Sequence, residues 1–240
     1  MASNEASSEQ SKPARLAAAQ AASDAKEWHR AAELWDSCRI DFPQDARCWH
    51  KSGEAFCHTG MLDRADQILG EALPLFSDDE WTAYWHVAVA RARADWPEAL
   101  RRAERMGRSF PASWRPMVEA ADALAGLQRQ AESEEIRREA LKQFPNEFWT
   151  NYGVTRLEAE RADPPGAVRI WSELVARFPT QPNAAAALQA AREAARHPLR
   201  QQSSTLLSPR SPAAGGAGRS EDPTQRSRGF PWRRRGGPEG

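Results

Sequence analysis

The stretch FPQDARCWHKSGEAFCHTGMLDRADQILGEALPLFS, residues 42–77, leads from Phe42 to Phe76, which follows it by 34 residues. Phenylalanine keeps this spacing through most of the chain, and proline follows directly in four of five cases. A fixed period of this length is typical of stacked supersecondary units, none of which can bury its apolar face alone. The sequence therefore predicts an array of five repeats, marked by Phe42, Phe76, Phe110, Phe144 and Phe178.

Aligned on this period, the chain falls into five rows, each of which is predicted to form two antiparallel helices. Small residues recur in the second half of each row, and they let helices approach closely. The Phe-Pro pairs end the second helix, because proline cannot continue a helix and disfavours helical geometry in the residue before it. Breaks inside rows are marked by Gly60, by Asp95-Trp96-Pro97 and by Asp163-Pro164-Pro165. The rows are 12–45, 46–79, 80–113, 114–147 and 148–181, and the small residues are Ala31, Ala65, Ala99, Ser133 and Ala167.

No segment alternates apolar and polar residues as a strand would, so the fold class is predicted to be all-α. Asp79, Ser113 and Asn146 precede first helices and are predicted to cap them. Residues 182–197 are alanine-rich and predict a C-terminal capping helix. Residues 1–11 and the Ser-, Pro-, Gly- and Arg-rich tail 198–240 are predicted to be disordered. Pro231–Arg235 (PWRRR) is interpreted either as a basic docking segment or as part of a solvated tail.

The formal charge of the chain is zero, but it is unevenly distributed, at about −5 before Pro198 and about +5 after it. A mildly acidic body argues against nucleic acid as a partner, because phosphate binding needs a concentrated basic face. No apolar run approaches the ~20 residues of a membrane span. The three cysteines are odd in number and form no C-x-x-C pair, which favours the cytoplasm.

Motifs of catalysis are absent from the sequence, which indicates a protein that is not an enzyme and uses no cofactor. The one cluster of metal-ligand types is Cys48, His50, Cys57 and His58. On a helix, Cys48 and Cys57 point to opposite sides, and His50 lies about 10 Å along the axis from Cys57. Zinc needs bonds of ~2.0–2.3 Å, so no metal site is predicted. Cys38 occupies a column of small residues and is interpreted as a buried, inert thiol.

A helix-turn-helix of 34 residues with these columns resembles the tetratricopeptide repeat (TPR). Row two matches best, and the resemblance covers residues 12–181. It implies an α-solenoid of five helix pairs with a right-handed superhelical course. The segments DWPEALRR, FPNEFW and IWSELVARFP are also similar to repeat modules linked to proteobacterial glycosyl-, sulfo- and methyltransferases. The matching residues of row two are Trp49, Gly53, Phe56, Ala65, Leu69 and Ala72.

In TPR arrays, fixed places on the first helices line a concave groove, and the resemblance implies the same here. A wall of Trp, Tyr and Arg has the composition of a binding hot spot. The alternative is that these aromatic residues pack between neighbouring first helices, as Trp28, Trp35, Trp49 and Trp171 are predicted to pack in the core. The implied groove residues are Arg47, His50, Glu54, Trp81, Tyr84, Arg91, Arg115, Asp122, Trp149, Tyr152 and Arg156.

These observations predict a non-catalytic scaffold or adaptor that holds a protein or an extended peptide in the groove. A rigid, preformed wall favours such binding, because little ordering entropy is lost on the protein side. The alternative hypothesis is an accessory or truncated non-catalytic module of a glycan-modifying transferase system.

Overall fold

The computed structural model describes the backbone of residues 2–196 and the side chains of residues 12–196. All regular structure in this range is α-helical, which confirms the predicted fold class. Eleven helices follow one another in packed pairs within the described range. They are α1 (Ala2–Asp24), α2 (Trp28–Asp41), α3 (Ala46–His58), α4 (Leu62–Leu75), α5 (Glu80–Ala92), α6 (Trp96–Ser109), α7 (Arg115–Gly126), α8 (Gln130–Gln143), α9 (Phe148–Arg161), α10 (Pro164–Arg177) and α11 (Pro182–Arg196).

Each predicted row holds two helices, although α1 begins before row one, and α11 follows as an additional C-terminal helix. At the N-terminus, α1 begins at Ala2, within the segment predicted to be disordered. The predicted tail, 198–240, lies outside the described residues. Among the helices described, none combines the length and the apolar character that a lipid bilayer crossing would require.

The recurring phenylalanines end the second helices, as predicted. Phe42, Phe76, Phe110 and Phe178 are each the residue that closes a second helix, and each backbone N–H donates to the carbonyl four residues earlier. In row four, α8 ends at Gln143, directly before Phe144. Helix α8 therefore ends directly before the Phe-Pro pair, as expected because proline cannot continue a helix.

Asp79, which was predicted as a cap, and Asp95 and Asp163, which belong to predicted breaks, cap their helices through a side-chain oxygen. Asp79 accepts from the N–H of Thr82, Asp95 from that of Glu98, and Asp163 from that of Gly166. Each bond satisfies one of the amides that a helix start leaves without an intrahelical partner.

The predictions for the starts of α7 and α9 were less accurate. The residue before α7 is Trp114, while Ser113 Oγ accepts from the N–H of Arg115 at 3.2 Å. The prediction that Asn146 caps α9 is wrong, because Glu147 occupies that place and makes no side-chain cap. Its neighbour in the turn, Asn146, instead accepts a hydrogen bond from Arg177 at its side-chain oxygen.

Four of the five breaks between paired helices share one backbone conformation. Lys26, Gly60, Ala94 and Gln128 occupy the same place in rows one to four, and all have a positive φ of 55–78°. At each, the next N–H donates back to a carbonyl five residues earlier, as Asp95 does to Ala90. This left-handed ending is the Schellman motif, for which glycine is the unstrained residue.

The described helices divide into two compact units, one up to residue 136 and one from residue 137, with the boundary inside α8. In unit 1 the core lies between successive helices. Trp35 and Ala65 are fully buried there, and Trp49 is almost so. Trp28 is half-buried: it packs against the cluster that contains Trp35, and it stacks on the exposed ring of His58 with the ring centroids 3.9 Å apart. The predicted packing roles of Trp35 and Trp49 are thereby confirmed.

Unit 2 has its own aromatic core, in which Phe148 and Trp171 are both buried. Leu188 of α11 packs into this cluster, so α11 covers the apolar face that α10 would otherwise leave open. The side chain of Asn151 is buried too and donates to the carbonyls of Pro145 and Glu147. A terminal helix that closes the apolar face is what a repeat array requires for solubility.

Candidate functional site

In unit 1 the first helices of rows two, three and four, α3, α5 and α7, contact one another in order. Two side-chain contacts join α5 to α7, between Trp81 and Arg115 and between Arg91 and Glu119. We call the surface formed by Trp81, Tyr84, Arg91, Arg115 and Glu119 the first-helix wall.

Trp81 is the exposed aromatic residue of this wall. Its side chain is 44% exposed, although tryptophan carries one of the largest apolar surfaces of any residue. The edge of the ring meets Tyr84, with centroids 5.7 Å apart. On the other side, the guanidinium of Arg115 lies 4.5 Å from the ring centroid, within cation–π distance. The indole is therefore fixed in orientation while remaining accessible.

Arg115 is itself held in place from two directions. Its Nη1 donates to Oε2 of Glu80 at 2.9 Å, and its guanidinium also lies 4.9 Å from the ring centroid of Trp114. The other carboxylate oxygen of Glu80 accepts from the hydroxyl of Ser113. Arg115, which was predicted as a groove residue, thus uses part of its donor capacity inside the protein, where it orders Trp81.

Beside Trp81 and Arg115, the first-helix wall contains a buried carboxylate. Glu119 is 5% exposed, and its Oε2 lies 3.1 Å from Nε of Arg91, without the geometry of a hydrogen bond. Burial raises the pKa of Glu119 to about 7; Arg91 opposes this shift, and the nearby carboxylate of Asp122 adds to it. One arginine therefore does not compensate for the desolvation of this carboxylate.

The surroundings of Glu119 respond to the same environment. Burial lowers the pKa of Arg91, but the nearby acidic groups of Glu119, Tyr84 and Asp122 together outweigh this effect, so the pKa of Arg91 is raised. Burial, with a contribution from Glu119, also raises the pKa of the Tyr84 phenol. Arg91, Tyr84 and Glu119 thus form one electrostatic cluster across α5 and α7.

The residues predicted from row two are mostly engaged within the protein. His50 is buried, and its Nδ1 lies 2.9 Å from Oδ2 of Asp79. Glu54 is half-buried and pairs with Lys51 at 2.8 Å. Arg47 is exposed, and its guanidinium lies 5.4 Å from the ring centroid of Trp35.

Arg47 also borders a cavity of about 550 Å³ along α1. Leu16 and Ala17 supply part of its apolar lining, and Gln20 and Asp24 are among its polar residues. This cavity was not anticipated from the sequence, because no groove residue was assigned to row one.

In unit 2 the predicted residues all lie on α9. Trp149 is 39% exposed, and its ring meets Tyr152 with centroids 5.7 Å apart. Tyr152 also packs against Trp171, at 5.3 Å between centroids. Arg156 lies 3.7 Å from Glu160. As in unit 1, an exposed tryptophan rests on a partly buried tyrosine, at the same two places in the row.

The sequence prediction missed Glu119, Glu80 and Lys51, all of which lie beside predicted groove residues. A signal for Glu119 was present, since it is a single acid within the apolar run Pro116–Ala121 of a helix that faces Arg91. Asp122, which was predicted, is half-buried on the same helix. Within residues 12–196 no three His, Cys, Asp or Glu side chains converge as metal ligands. Burial raises the pKa values of Cys38, Cys48 and Cys57, so these thiols are held protonated.

Comparison with solved structures identifies the fold. A thermophilic TPR protein of Thermus thermophilus superposes with a TM-score of 0.64 at 12% identity, over 75% of this chain and 98% of that one. Yeast Tom70 gives 0.58 at 16% identity, over 79% of this chain and 40% of that one. A tetratricopeptide repeat protein of Parabacteroides merdae gives 0.55 at 14% identity, over 81% and 77%.

No family model matches the chain, and no curated protein matches it in sequence. The chain is thus a TPR-like α-solenoid, with helix pairs like those of these structures. At this level of identity the similarity concerns the fold alone.

Proposed function

We propose that this chain is a non-catalytic scaffold that binds an extended segment of a partner protein along its first helices. The observation that carries the proposal is the state of Trp81, which is accessible yet held by Tyr84 and Arg115. Exposed Trp, Tyr and Arg side chains are the types that dominate binding energy at protein interfaces. Because the indole is already ordered, binding loses little side-chain entropy.

Trp149 in unit 2 supports the same proposal, since it too is an accessible indole on a tyrosine. Both sites are apolar with a polar tip, which suits a peptide main chain with alternating apolar side chains. The net negative charge of the body favours a protein partner over a nucleic acid. The thiols of Cys38, Cys48 and Cys57 are unpaired, which is consistent with action in the cytoplasm.

The experiment selects peptides from a random displayed library on the immobilised full chain and measures their affinity for variants. We expect the double variant Trp81→Ala, Trp149→Ala to keep the helical circular dichroism spectrum and to lose affinity at least about tenfold. The matched control is Leu75→Ala, because Leu75 is 60% exposed on a second helix. Unchanged affinity in the folded double variant would place the binding surface elsewhere.

A further inference from the structure

The cavity along α1 lies at the start of the repeat array and is not used by the proposed function. Its volume is about 550 Å³, within the roughly 300–1,000 Å³ of pockets that hold small ligands. Trp81 and Tyr84 stand at the second and fifth places of row three, and four residues of the cavity take equivalent places in row one. The period therefore puts the cavity on the same face of the array as the first-helix wall. The four residues are Pro13, Leu16, Gln20 and Asp24, at the second, fifth, ninth and thirteenth places.

Much of the cavity lining is apolar. Leu16 is half-buried, while Pro13, Ala17 and Ala21 are exposed. An apolar group that covered these side chains would be stabilised by the hydrophobic effect. The cavity therefore suits the side chain of an apolar residue.

Arg47, at the second place of row two, supplies a cation at the border of the cavity. Its guanidinium lies 5.4 Å from the ring centroid of Trp35, and its Nη2 donates to Oε1 of Gln20 at 3.4 Å. Neither of these groups carries a charge. The nearest acid in the sequence, Asp45, is engaged by Nζ of Lys12 at 3.1 Å and by the backbone N–H of Arg47. The guanidinium of Arg47 therefore keeps donors that a carboxylate can accept.

The charges around Arg47 favour a carboxylate over a phosphate. A phosphate carries about −1.5 to −2 and is matched by a cluster of cations, whereas Lys12 is already paired with Asp45. Asp24, which also lines the cavity, accepts from Gln20 at 2.7 Å and would repel a second anion. The chain before Pro198 is acidic overall, but charges more than about 8 Å away are largely screened at physiological salt. A single acidic side chain therefore matches the site.

The position of Arg47 relative to Trp81 sets the spacing of such an acid in a ligand. Both residues occupy the second place of their rows, and their helices α3 and α5 contact each other. Packed helices are about 8–10 Å apart, and an extended chain advances about 3.3 Å per residue. An extended segment that contacts Trp81 thus reaches Arg47 after about three residues, and the cavity on α1 directly beyond it.

We propose that Arg47 and the α1 cavity bind an acidic-apolar element of the partner protein, in which an Asp or Glu side chain pairs with Arg47 and an adjacent apolar side chain enters the cavity. This inference rests on the proposed function, because it assigns the chemistry of the same extended partner segment beyond its contact with Trp81. The tail of this chain does not offer such an element. Its acids, Glu221, Asp222 and Glu239, have no aliphatic or aromatic residue within two positions.

The test selects peptides from a random displayed library on the immobilised full chain. The tightest selected peptide is then synthesised with a fluorescent label and an amidated C-terminus, so that a side chain must supply any carboxylate. We expect the selected sequences to share an Asp or Glu beside an apolar residue, about three residues from the residue that contacts Trp81. Selection of peptides that lack this pair would overturn the proposal.

Charge reversal tests the pairing with Arg47. We expect Arg47→Glu to weaken binding of the selected peptide at least about tenfold. A second peptide, with its acid replaced by lysine, should bind Arg47→Glu at least about fivefold more tightly than it binds the unaltered chain. The matched control is Arg108→Glu, because Arg108 is exposed at the end of α6, a second helix. Full affinity in Arg47→Glu, no rescue by the lysine peptide, or equal loss in the control would contradict the pairing.

Filling the cavity tests the place of the apolar side chain. Ala17→Phe puts a ring into the cavity from an exposed position of α1, so we expect binding to weaken at least about fivefold while the helical spectrum is kept. Ala21→Phe serves in the same way if Ala17→Phe does not fold. Ala18→Phe is the matched control, since Ala18 is exposed on α1 but does not line the cavity. Equal affinities of Ala17→Phe and Ala18→Phe would remove the cavity from the binding site.

Failure of this inference is separable from failure of the proposed function. If Trp81→Ala weakens peptide binding while Arg47→Glu and Ala17→Phe do not, the scaffold function stands and this inference is rejected. If no peptide is selected at all, both are rejected. If sedimentation velocity shows that the unaltered chain self-associates and that Arg47→Glu disperses it, a second copy occupies the site and the inference is rejected as well.

Discussion

The indole ring of Trp96 occupies the place where a β-carbon on Gly126 would lie. Gly126 is the last residue of α7, and Trp96 is the first residue of α6, so this contact closes the spacing between two packed helices. We expect Gly126→Ala to lower the free energy of unfolding by about 1–3 kcal/mol, because the ring or a helix must move. Urea denaturation of the full chain measures this change.

Gly70 provides the matched control, since it lies inside α4 and a β-carbon there meets nothing within 4 Å. Gly70→Ala should be neutral or stabilise by up to about 1 kcal/mol through helix propensity. If both substitutions had the same effect, the close approach of Trp96 would have no energetic importance.

The left-handed helix endings predict a stabilising substitution. Ala94 is exposed and has a φ of 55°, a conformation that costs a residue with a β-carbon about 1–2 kcal/mol. Ala94→Gly relieves this strain but increases the entropy of the unfolded chain, so we expect a net gain of about 0.5–1 kcal/mol. The measurement is the denaturation midpoint at constant slope.

The reverse substitution can be made at Gly60, which occupies the same place in row two and has a φ of 78°. A β-carbon on Gly60 meets nothing within 4 Å, so any loss in Gly60→Ala comes from the backbone alone. We expect a loss of about 1 kcal/mol. A gain in Gly60→Ala, or a loss in Ala94→Gly, would contradict the role assigned to the positive φ.

These endings also show how far the sequence could predict the fold. Periodicity predicted the helix pairs because Phe-Pro and small-residue columns act locally, on helix ends and helix spacing. The left-handed turn could be predicted at Gly60 only, because Lys26, Ala94 and Gln128 fill the same place with residues that do not favour it. There the packing of the paired helices overrides the local preference.

For the candidate site, the columns placed Trp81 and Arg115 on one wall, where the structure also has them. The column positions could not predict that His50 is buried against Asp79 or that Glu119 faces Arg91. These contacts join residues that are 29 and 28 positions apart in the sequence. Such contacts depend on how one row stacks on the next. Column position alone does not determine which side chains pair.

An ion network between rows two and three gives a prediction about stability. Arg102 is 9% exposed and donates to Oε1 of Glu98 at 2.6 Å, to Oδ1 of Asp66 at 2.6 Å and to the carbonyl of His86 at 2.7 Å. Removing it leaves partly buried carboxylates and a carbonyl without their donor. We expect Arg102→Ala to cost about 2–4 kcal/mol, measured by urea denaturation.

Arg101 is the matched control, because it pairs with Glu98 from a side chain that is 55% exposed. Exposed ion pairs contribute little, so Arg101→Ala should change the free energy of unfolding by less than about 1 kcal/mol. Similar losses in both variants would mean that burial of Arg102 does not set the strength of the network.

The last prediction concerns the pH dependence that Glu119 gives to stability. The pKa of Glu119 is about 7 in the folded chain, against an ordinary value of 4.5, because it is buried with Asp122 nearby and only Arg91 opposing. The folded state therefore holds this proton more tightly than the unfolded state. Its contribution is most favourable below pH 4.5 and is lost as pH rises to about 7.

Glu119→Gln removes this dependence, so the variant should gain stability relative to the unaltered chain between pH 5 and pH 8. The gain is at most on the order of 3 kcal/mol, the equivalent of the full shift. Glu98→Gln is the control with the opposite sign, since Arg101, Arg102 and the bonds they donate hold the pKa of Glu98 down at about 2. Its stabilisation is lost below pH 4.5, so its difference from the unaltered chain stays nearly constant between pH 5 and pH 8. A constant difference for Glu119→Gln as well would show that Glu119 is ionised throughout this range, and that Arg91 compensates for its burial after all.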